Sequence, residues 1–511
     1  MDSNDKYFHS HNYLRKPFSK KETVNFINEL KNETDKIIKS VNWKDYLIVI
    51  LGCSYGQLFP SLYAAKLIKK LNPSIKICVY GNLIFKEYGN YILNEFRDID
   101  FIFSGEDEKT FYKLIYDIIN NRKPNKNINN FKNHIKLDQL PFTDYKDFFE
   151  KSNLMGIEQN SVMVYTSRGC PYNKCTFCNI NKQCKNYRIK SVNKIADEIA
   201  ELQNRYHQIK QFCFADSMIS EIYLIKLAKE ILKRKIRSSF NFLSRATLKG
   251  ETIELLSEAG FDRIQIGLEA LDQNILNRIN KGIKLTDSIE IIKNLQLFNI
   301  KSETNIITGF LNVEKKDILN SIRILKKLKY YPPFFNIRLR YSFGSEEYKN
   351  LIESGSYLLA DNEMRNLLYP NISKYDTFFP ITPKKNNNEG EWKSLEIHLR
   401  KGWFKKRFTN SLPGIYYKQN KKKILVYFNY DKKLVATEVF KNIDKELFHL
   451  CNSFKSINEI KEGLPKYSEK EIKKSIKRLI NNEILIDVDN NYMTLPINLE
   501  KWVKTNHEKE R

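Results

Sequence analysis

Residues 168–178 read Arg-Gly-Cys-Pro-Tyr-Asn-Lys-Cys-Thr-Phe-Cys, which places three thiols, Cys170, Cys175 and Cys178, in one short loop. A [4Fe–4S] cluster normally takes four cysteines, so three thiolates would leave one iron open to a substrate or cosubstrate. The loop follows Val162-Met163-Val164-Tyr165-Thr166, an apolar, β-branched run that reads as a strand. A structural zinc site with Cys184 as fourth ligand is the alternative. Zinc sites favour two Cys pairs, or a Cys pair with a His pair. This segment has a single Cys-x-x-Cys pair and no His between Cys184 and His207.

The chain around the loop alternates strands and helices. Strands are expected near 162–167, 209–215, 239–244, 262–267, 302–308 and 334–341, with helices between them such as Val192–Arg205 and Ile219–Arg234. Six such units predict a partial (β/α)6 barrel, in which working residues gather at the carboxyl ends of the strands. Upstream, Tyr46–Leu51, Ile75–Tyr80 and Phe101–Phe103 read as buried parallel strands separated by helical patterns, which predicts a smaller Rossmann-like α/β layer. The Asn/Lys-rich stretch 120–133 reads as a linker and Lys384–Asn388 as a mobile loop. After Lys423, a strand at Ile424–Phe428, helices near 440–452, 456–462 and 468–482, and strands at 483–487 and 492–495 predict a winged helix. The expected domains are therefore 1–120 (truncated Rossmann-like), 121–160 (linker and bridge), 161–345 (barrel), 346–423 (variable), 424–498 (winged helix, separable from the barrel) and 499–511 (tail).

The cysteine loop resembles the cluster loop of the radical S-adenosylmethionine (SAM) enzymes. It has four residues between its first two cysteines where three are usual, a variant of some cobalamin-type members, and Phe177 precedes the last cysteine. The resemblance implies a SAM pocket at the strand ends. Asp216, closing Phe212-Cys213-Phe214-Ala215, would hold the SAM amino group, or else cap the next helix. Ser244 and Arg245 end the third strand. Arg245 would pair the SAM carboxylate through its planar guanidinium, or else stand solvated at the surface. Arg263-Ile264-Gln265-Ile266-Gly267-Leu268-Glu269 resembles the family segment in which Ile266 lines the adenine and Glu269 approaches SAM. Gly267 would let the ligand near the backbone, and a helix-starting role for Glu269 is the alternative. Asn305–Phe310 resembles the following segment, with Leu311 replacing the usual proline.

Residues 41–108 resemble the later part of a cobalamin-binding domain, in Gly52–Gln57, Gly81-Asn82 and Ser104-Gly105-Glu106. Asp138–Phe149, Pro332-Pro333 and Arg338–Ser342 resemble ribosomal-peptide (RiPP) maturation radical SAM proteins of cobalamin type. The departure is upstream of Tyr46, where the sequence looks helical and lacks an Asp-x-His-x-x-Gly run. A doubly wound sheet binds its ligand beside its first strand. Weak or absent cobalamin binding is therefore expected, with Tyr46–Leu51 left as an open edge. The resemblance implies a cytoplasmic enzyme that modifies a ribosomally made precursor peptide through a 5′-deoxyadenosyl radical, with a reductant such as flavodoxin or ferredoxin. C-methylation leads, with epimerisation or thioether formation as alternatives. The winged helix would hold the leader peptide by adding it as a strand.

Bulk properties bound these readings. The chain has 511 residues, 41% of them hydrophobic and 29% charged, as in a soluble globular protein. It has no bilayer-length apolar run and no signal-peptide pattern at its N-terminus. Eight cysteines, three of them clustered, suggest a reducing compartment and metal chemistry. Cys53, Cys78, Cys213 and Cys451 are expected to pack as small hydrophobes. The net charge of +26 and the winged helix suit an iron–sulfur DNA-binding sensor as the non-enzyme alternative. The lysines are dispersed through a Lys-, Asn- and Ile-rich chain, which weakens any nucleic-acid reading.

Overall fold

The computed structural model describes residues 20–53, 57–81, 86–104, 108–124, 127–129, 135–180, 186–359, 381–405, 412–420, 423–430, 433–439 and 442–510. Two compact units emerge: residues 1–140, 177–186 and 340–384, and residues 141–176, 187–339 and 385–511.

The first unit begins with helix α1 (Lys20–Ser40) and then alternates β1 (Ile48–Gly52), α2 (Leu58–Leu71), β2 (Lys76–Tyr80), α3 (Lys86–Glu95), β3 (Phe101–Ser104), α4 (Glu108–Ile119) and β4 (Asn127–Asn129). The four strands are parallel and adjacent in chain order. Leu58, Leu62, Ala65 and Ile68 of α2 pack on Ile77, Val79 and Ile102 of the sheet. That spacing is one apolar face of a helix laid on a parallel sheet. Strand β4 corrects the linker expected at 120–133. A strand needs backbone donors and acceptors, and polar side chains do not forbid it. The open edge expected at Tyr46–Leu51 is found. Strand β1 has no second neighbour among the described residues, and α1 packs instead on α2, where Tyr63 donates to Asp35 at 2.6 Å.

Gly81 takes φ +147°, and a Cβ there would lie 2.0 Å from the Cys53 carbonyl oxygen. Its bareness therefore accommodates the end of β1, not a ligand. Burial pushes the Cys53 and Cys78 thiols up to about 11 and about 12. Residues 54–56, 82–85 and 105–107, the core of the cobalamin-like loops, lie outside the described residues.

The second unit starts with α5 (Lys146–Leu154) and β5 (Ser161–Val164). It continues through α6 (Val192–Arg205), β6 (Gln211–Phe214), α7 (Glu221–Lys233), β7 (Ser239–Arg245), α8 (Gly250–Glu258) and β8 (Phe261–Glu269). It then runs through α9 (Gln273–Arg278), α10 (Leu285–Leu297), β9 (Lys301–Thr308), α11 (Lys315–Lys327) and β10 (Phe335–Arg338). All six strands are parallel and ordered β10-β9-β8-β7-β6-β5. This is the six-stranded α/β architecture that the alternation predicts.

Alternation of side chains along each strand gives the sheet two unlike faces. Phe212, Phe214, Phe240, Phe242 and Phe261 are fully or nearly buried on one, with the Phe240 and Phe261 rings 5.1 Å apart. The other is polar. Gln211 donates to Ser239 at 3.2 Å, Arg263 pairs with Glu303 at 2.9 Å, and Asn241 donates to the Cys213 sulfur at 3.5 Å. Cys213 is thus no packed hydrophobe. It is partly exposed on the polar face, within 3.4 Å of the Ser161 hydroxyl.

Helix α12 (Glu389–Lys405) lies against β9 and β10. Its Glu396 accepts from Thr308 at 2.7 Å and from Arg338 at 3.1 Å. The residues ahead of α12 are pinned, correcting the mobile loop expected there. Asn386 donates to the Gly309 and Phe310 carbonyls at 3.3 Å, and Asn388 donates to the Val313 carbonyl.

Strands β11 (Ile415–Gln419), β12 (Ile424–Tyr430) and β13 (Lys433–Val439) form an antiparallel sheet. The strand expected to open the winged helix is therefore the middle of a separate meander. The winged-helix order follows: α13 (Ile443–Leu450), β14 (Lys455–Ser456), α14 (Ile457–Gly463), α15 (Glu469–Asn481), β15 (Leu485–Val488) and β16 (Asn491–Thr494). Capping boxes at Ser456/Glu459 and Ser468/Glu471 start α14 and α15. Strand β17 (Ile497–Asn498) returns to pair with β11, and α16 (Leu499–Glu510) ends the described chain.

This C-terminal region is built onto the barrel. Lys293 of α10, buried, donates to the Asn452 carbonyl and the Thr494 carbonyl, both at 2.8 Å, and to Asn452 Oδ1 at 3.0 Å. Tyr331 donates to the Leu495 carbonyl, and Lys329 pairs with Glu483 at 2.8 Å. Burial pushes the Lys293 ammonium down to about 7, which nearby Glu290 opposes. Above that pH the folded chain holds fewer protons at this site than the unfolded chain, so stability rises with pH from about 7 towards the ordinary lysine range of about 10.4. The denaturation midpoint is expected to climb between pH 7 and pH 9 in the native protein. That slope should flatten in Lys293→Met, whose stranded carbonyls lower stability by about 1–3 kcal/mol at each pH.

Candidate active site

The strand β5 leads into the cysteine loop through Thr166 and Ser167, and one carboxylate holds this entry. Buried Asp216, just past β6, accepts from the Thr166 backbone N–H at 2.9 Å and from its hydroxyl at 2.9 Å. It also accepts from the Ser167 N–H and hydroxyl, both at 2.5 Å. Burial pushes its pKa up, against the four donors that favour the charged form. The helix-cap reading of Asp216 gives way, because α7 starts later and Ser220 is its N-cap residue. Asp216→Ala should strand these donors and loosen the loop entry. Iron incorporation is expected to fall several-fold in an iron and sulfide assay, with Asp216→Asn intermediate.

The register separates the remaining strand-end residues. Ile266 of β8 is the partner of Ser244 in β7, and Gly267 is the partner of Arg245. Ile266 and Ser244 point to the face carrying the stacked phenylalanines, where the Ser244 hydroxyl donates to the Ile219 carbonyl at 3.3 Å. Arg245 and Gly267 point to the polar face. Arg245 is not a solvated surface arginine. Its guanidinium lies 3.5 Å from the centroid of the Tyr172 ring in the cysteine loop. It donates to the Lys281 carbonyl and, at 3.1 Å, to the Gly282 carbonyl. Its Nε is buried with no hydrogen-bond partner among the described residues.

Glu269 is not a helix starter either, since Asp272 caps α9 by accepting from Asn274 and Ile275. Glu269 sits where the register between β8 and β9 breaks, at φ +73°. Its carboxylate accepts from Lys281 Nζ at 3.0 Å, both side chains being mostly buried. A Cβ on Gly267 would lie 2.9 Å from both Lys281 Nζ and Glu269 Oε1. The space that glycine leaves is thus filled by this ion pair.

Lys281 is the residue the sequence reading missed, and its one signal was the Asn280-Lys281-Gly282 turn. The segment 279–282 also grips the cysteine loop. Thr176 donates its backbone N–H to the Ile279 carbonyl at 3.1 Å, and Tyr172 donates to the Asn280 carbonyl at 2.8 Å. A second unread pair, Lys190 with Glu198 at 2.7 Å, is buried beside Tyr165 ahead of the loop.

Cys170, Cys175 and Cys178 are each partly exposed. They contrast with Cys53, Cys78 and Cys451, whose burial pushes their thiols up to about 11 or 12. A metal ligand is a thiolate, so the loop thiols are the set suited to bind iron. Among the described residues no three His, Cys, Asp or Glu side chains form a cage for one metal ion. A cluster binds each thiolate to a different iron, so its ligands need not converge on one point. The three thiols, partly exposed on one loop, would supply ligands for three of the four irons. Cys184 lies outside the described residues.

A parallel six-stranded sheet whose first strand leads into a three-cysteine loop defines a class, and comparison with known proteins agrees. Residues 164–325 match the radical SAM superfamily. The chain thus carries a radical SAM domain, and that superfamily implies enzyme chemistry with a [4Fe–4S] cluster and SAM. It is 26% identical over 371 residues to an uncharacterised methyltransferase of Pyrococcus horikoshii, covering 69% of this chain and 76% of that one. It is 28% identical over 275 residues to the anaerobic magnesium-protoporphyrin IX monomethyl ester cyclase of Synechocystis, covering 50% of this chain and 54% of the cyclase. Two solved structures share the fold, each at TM-score 0.55 over 73% of this chain. OxsB, with aqua-cobalamin and SAM bound, is 14% identical and 59% covered. TsrM of Kitasatospora setae, with tryptophan and a SAM analogue bound, is 13% identical and 80% covered. Among the described residues no helix is long and apolar enough to cross a membrane.

Proposed function

We propose that this enzyme cleaves one SAM to act at an unactivated C–H bond, with C-methylation as the outcome, the methyl coming from a second SAM and the electrons from a reductant such as flavodoxin or ferredoxin. The observation that carries the reading is the joining of the cysteine loop to the ends of β7 and β8 through residues 279–282. Cys170, Cys175 and Cys178 would hold the cluster, which supplies the electron that splits SAM into methionine and a 5′-deoxyadenosyl radical. Asp216 holds the loop entry. Arg245, with a buried unpartnered Nε beside the loop, is suited to the SAM carboxylate, and Glu269 to its ammonium. Ile266 and Ser244 back the site from the opposite face. The methyltransferase name of the Pyrococcus relative supports methyl transfer. Anaerobic reduction with SAM should yield 5′-deoxyadenosine, and a protein that forms none would exclude the reading and leave an iron–sulfur sensor.

A precursor peptide is the substrate this reading favours, although the Synechocystis relative bears a tetrapyrrole name. Its support is the edge strand β13 of the C-terminal meander, where Leu434 and Val435 are exposed. An edge strand offers backbone groups to an added strand. Cobalamin is a separate matter. With β1 at the open edge, little or no corrinoid is expected to remain after incubation with hydroxocobalamin and desalting. A stoichiometric corrinoid absorbance would make methyl transfer cobalamin-dependent.

A further inference from the structure

We infer that Lys281 is the positioning residue of the SAM site, fixing the Glu269 carboxylate against the cluster loop. This deepens the functional reading above and rests on it. A glutamate at φ +73° occupies a sparsely populated conformation that persists only where its surroundings over-determine it. Here they do so from three sides. Gly267 leaves the space into which the carboxylate turns, the register break between β8 and β9 frees the backbone, and Lys281 Nζ holds Oε1 at 3.0 Å. The pair is mostly buried, so it is screened little by water, unlike an exposed bridge.

Lys281 is itself placed by its backbone. Arg245 donates to the carbonyls of Lys281 and Gly282. Ile279 and Asn280 accept from Thr176 and Tyr172 of the cysteine loop. Gly282, at φ +63°, runs so near the Tyr172 hydroxyl that a Cβ would lie 2.1 Å from it. One four-residue segment therefore touches the cluster loop, the end of β7 and, through Lys281, the end of β8. The orientation of Glu269 is tied to the cysteine loop through Lys281.

The test uses the full, anaerobically reconstituted chain, with SAM itself as the probe in equilibrium dialysis. Lys281→Met is expected to weaken SAM binding ~10-fold or more, the loss of one charged contact, with iron content unchanged. The SAM-induced shift in the spectrum of the reduced cluster should then need correspondingly more SAM. Lys281→Arg should recover part of the loss. Lys281→Met combined with Glu269→Gln should bind no more weakly than the weaker single variant, since both remove one interaction. Native affinity in Lys281→Met, or losses that add in the double variant, would overturn the inference. So would loss of iron in both Lys281→Met and Lys281→Gln, which would make Lys281 a structural part of the loop. If the native protein binds no SAM, or Glu269→Gln has no effect, the SAM-site reading itself fails.

Discussion

Replacing any one of Cys170, Cys175 and Cys178 with Ala is expected to abolish 5′-deoxyadenosine formation. Three thiolates are the minimum that leaves one iron of a four-iron cluster open, and with two a second iron loses its protein ligand. The buried thiols cannot substitute. Burial pushes Cys78 and Cys451 up to about 12, so neither offers a thiolate near neutral pH. The cluster is what passes the electron to SAM in this reading, so the loss should be complete and not partial, with iron and cluster absorbance falling together. Cys184→Ala should keep the native iron content. Zinc in the purified protein, lost along with Cys184, would revive the structural-zinc reading of the loop.

The cysteine loop was legible because its information is local: three thiols within nine residues behind a β-branched run. The six strands were legible because each buried apolar run alternates with a helical pattern. Strand β4 was not, because Asn127-Ile128-Asn129 pairs through its backbone and a single Ile between asparagines is too short an apolar signal. The strand-end residues were found by position, but their partners were not. Asp216 reaches back 50 residues to Thr166, and Arg245 reaches forward to Lys281 and Gly282. Such contacts follow from the order of parallel strands, which periodicity does not specify. Lys281 carries no pattern of its own. A lysine in a polar turn reads as solvated until the fold buries it against Glu269. Gly81 and Gly267 show the same limit in reverse. Gly267 marks room for a ligand by its type and Gly81 lies in a cobalamin-like segment, yet the chain's own atoms fill the space at both.

The C-terminal region poses the sharpest contrast between sequence and structure. The low-complexity stretch ahead of it suggested a detachable module whose removal would spare SAM cleavage. The packing predicts the opposite. Ending the chain before Ile415 would remove the Asn452 and Thr494 oxygens that accept from Lys293 and open its site to water. It would also strip Tyr331 of the Leu495 carbonyl and Tyr330 of the Phe428 ring, which stands 5.3 Å away. Each hydrogen bond exchanged for water costs about 0.5–1.5 kcal/mol, and each apolar side chain uncovered costs about 1.5–3 kcal/mol more. A domain's whole stability is about 5–15 kcal/mol, so these losses together with the uncovered apolar surface approach the full margin. The truncated chain is therefore expected to aggregate or to melt far below the native protein, and to lose SAM cleavage with its fold. Recovery of a truncated chain with native melting behaviour and native 5′-deoxyadenosine yield would show that the contacts of α10 with the winged helix hold the module in place without supporting the barrel.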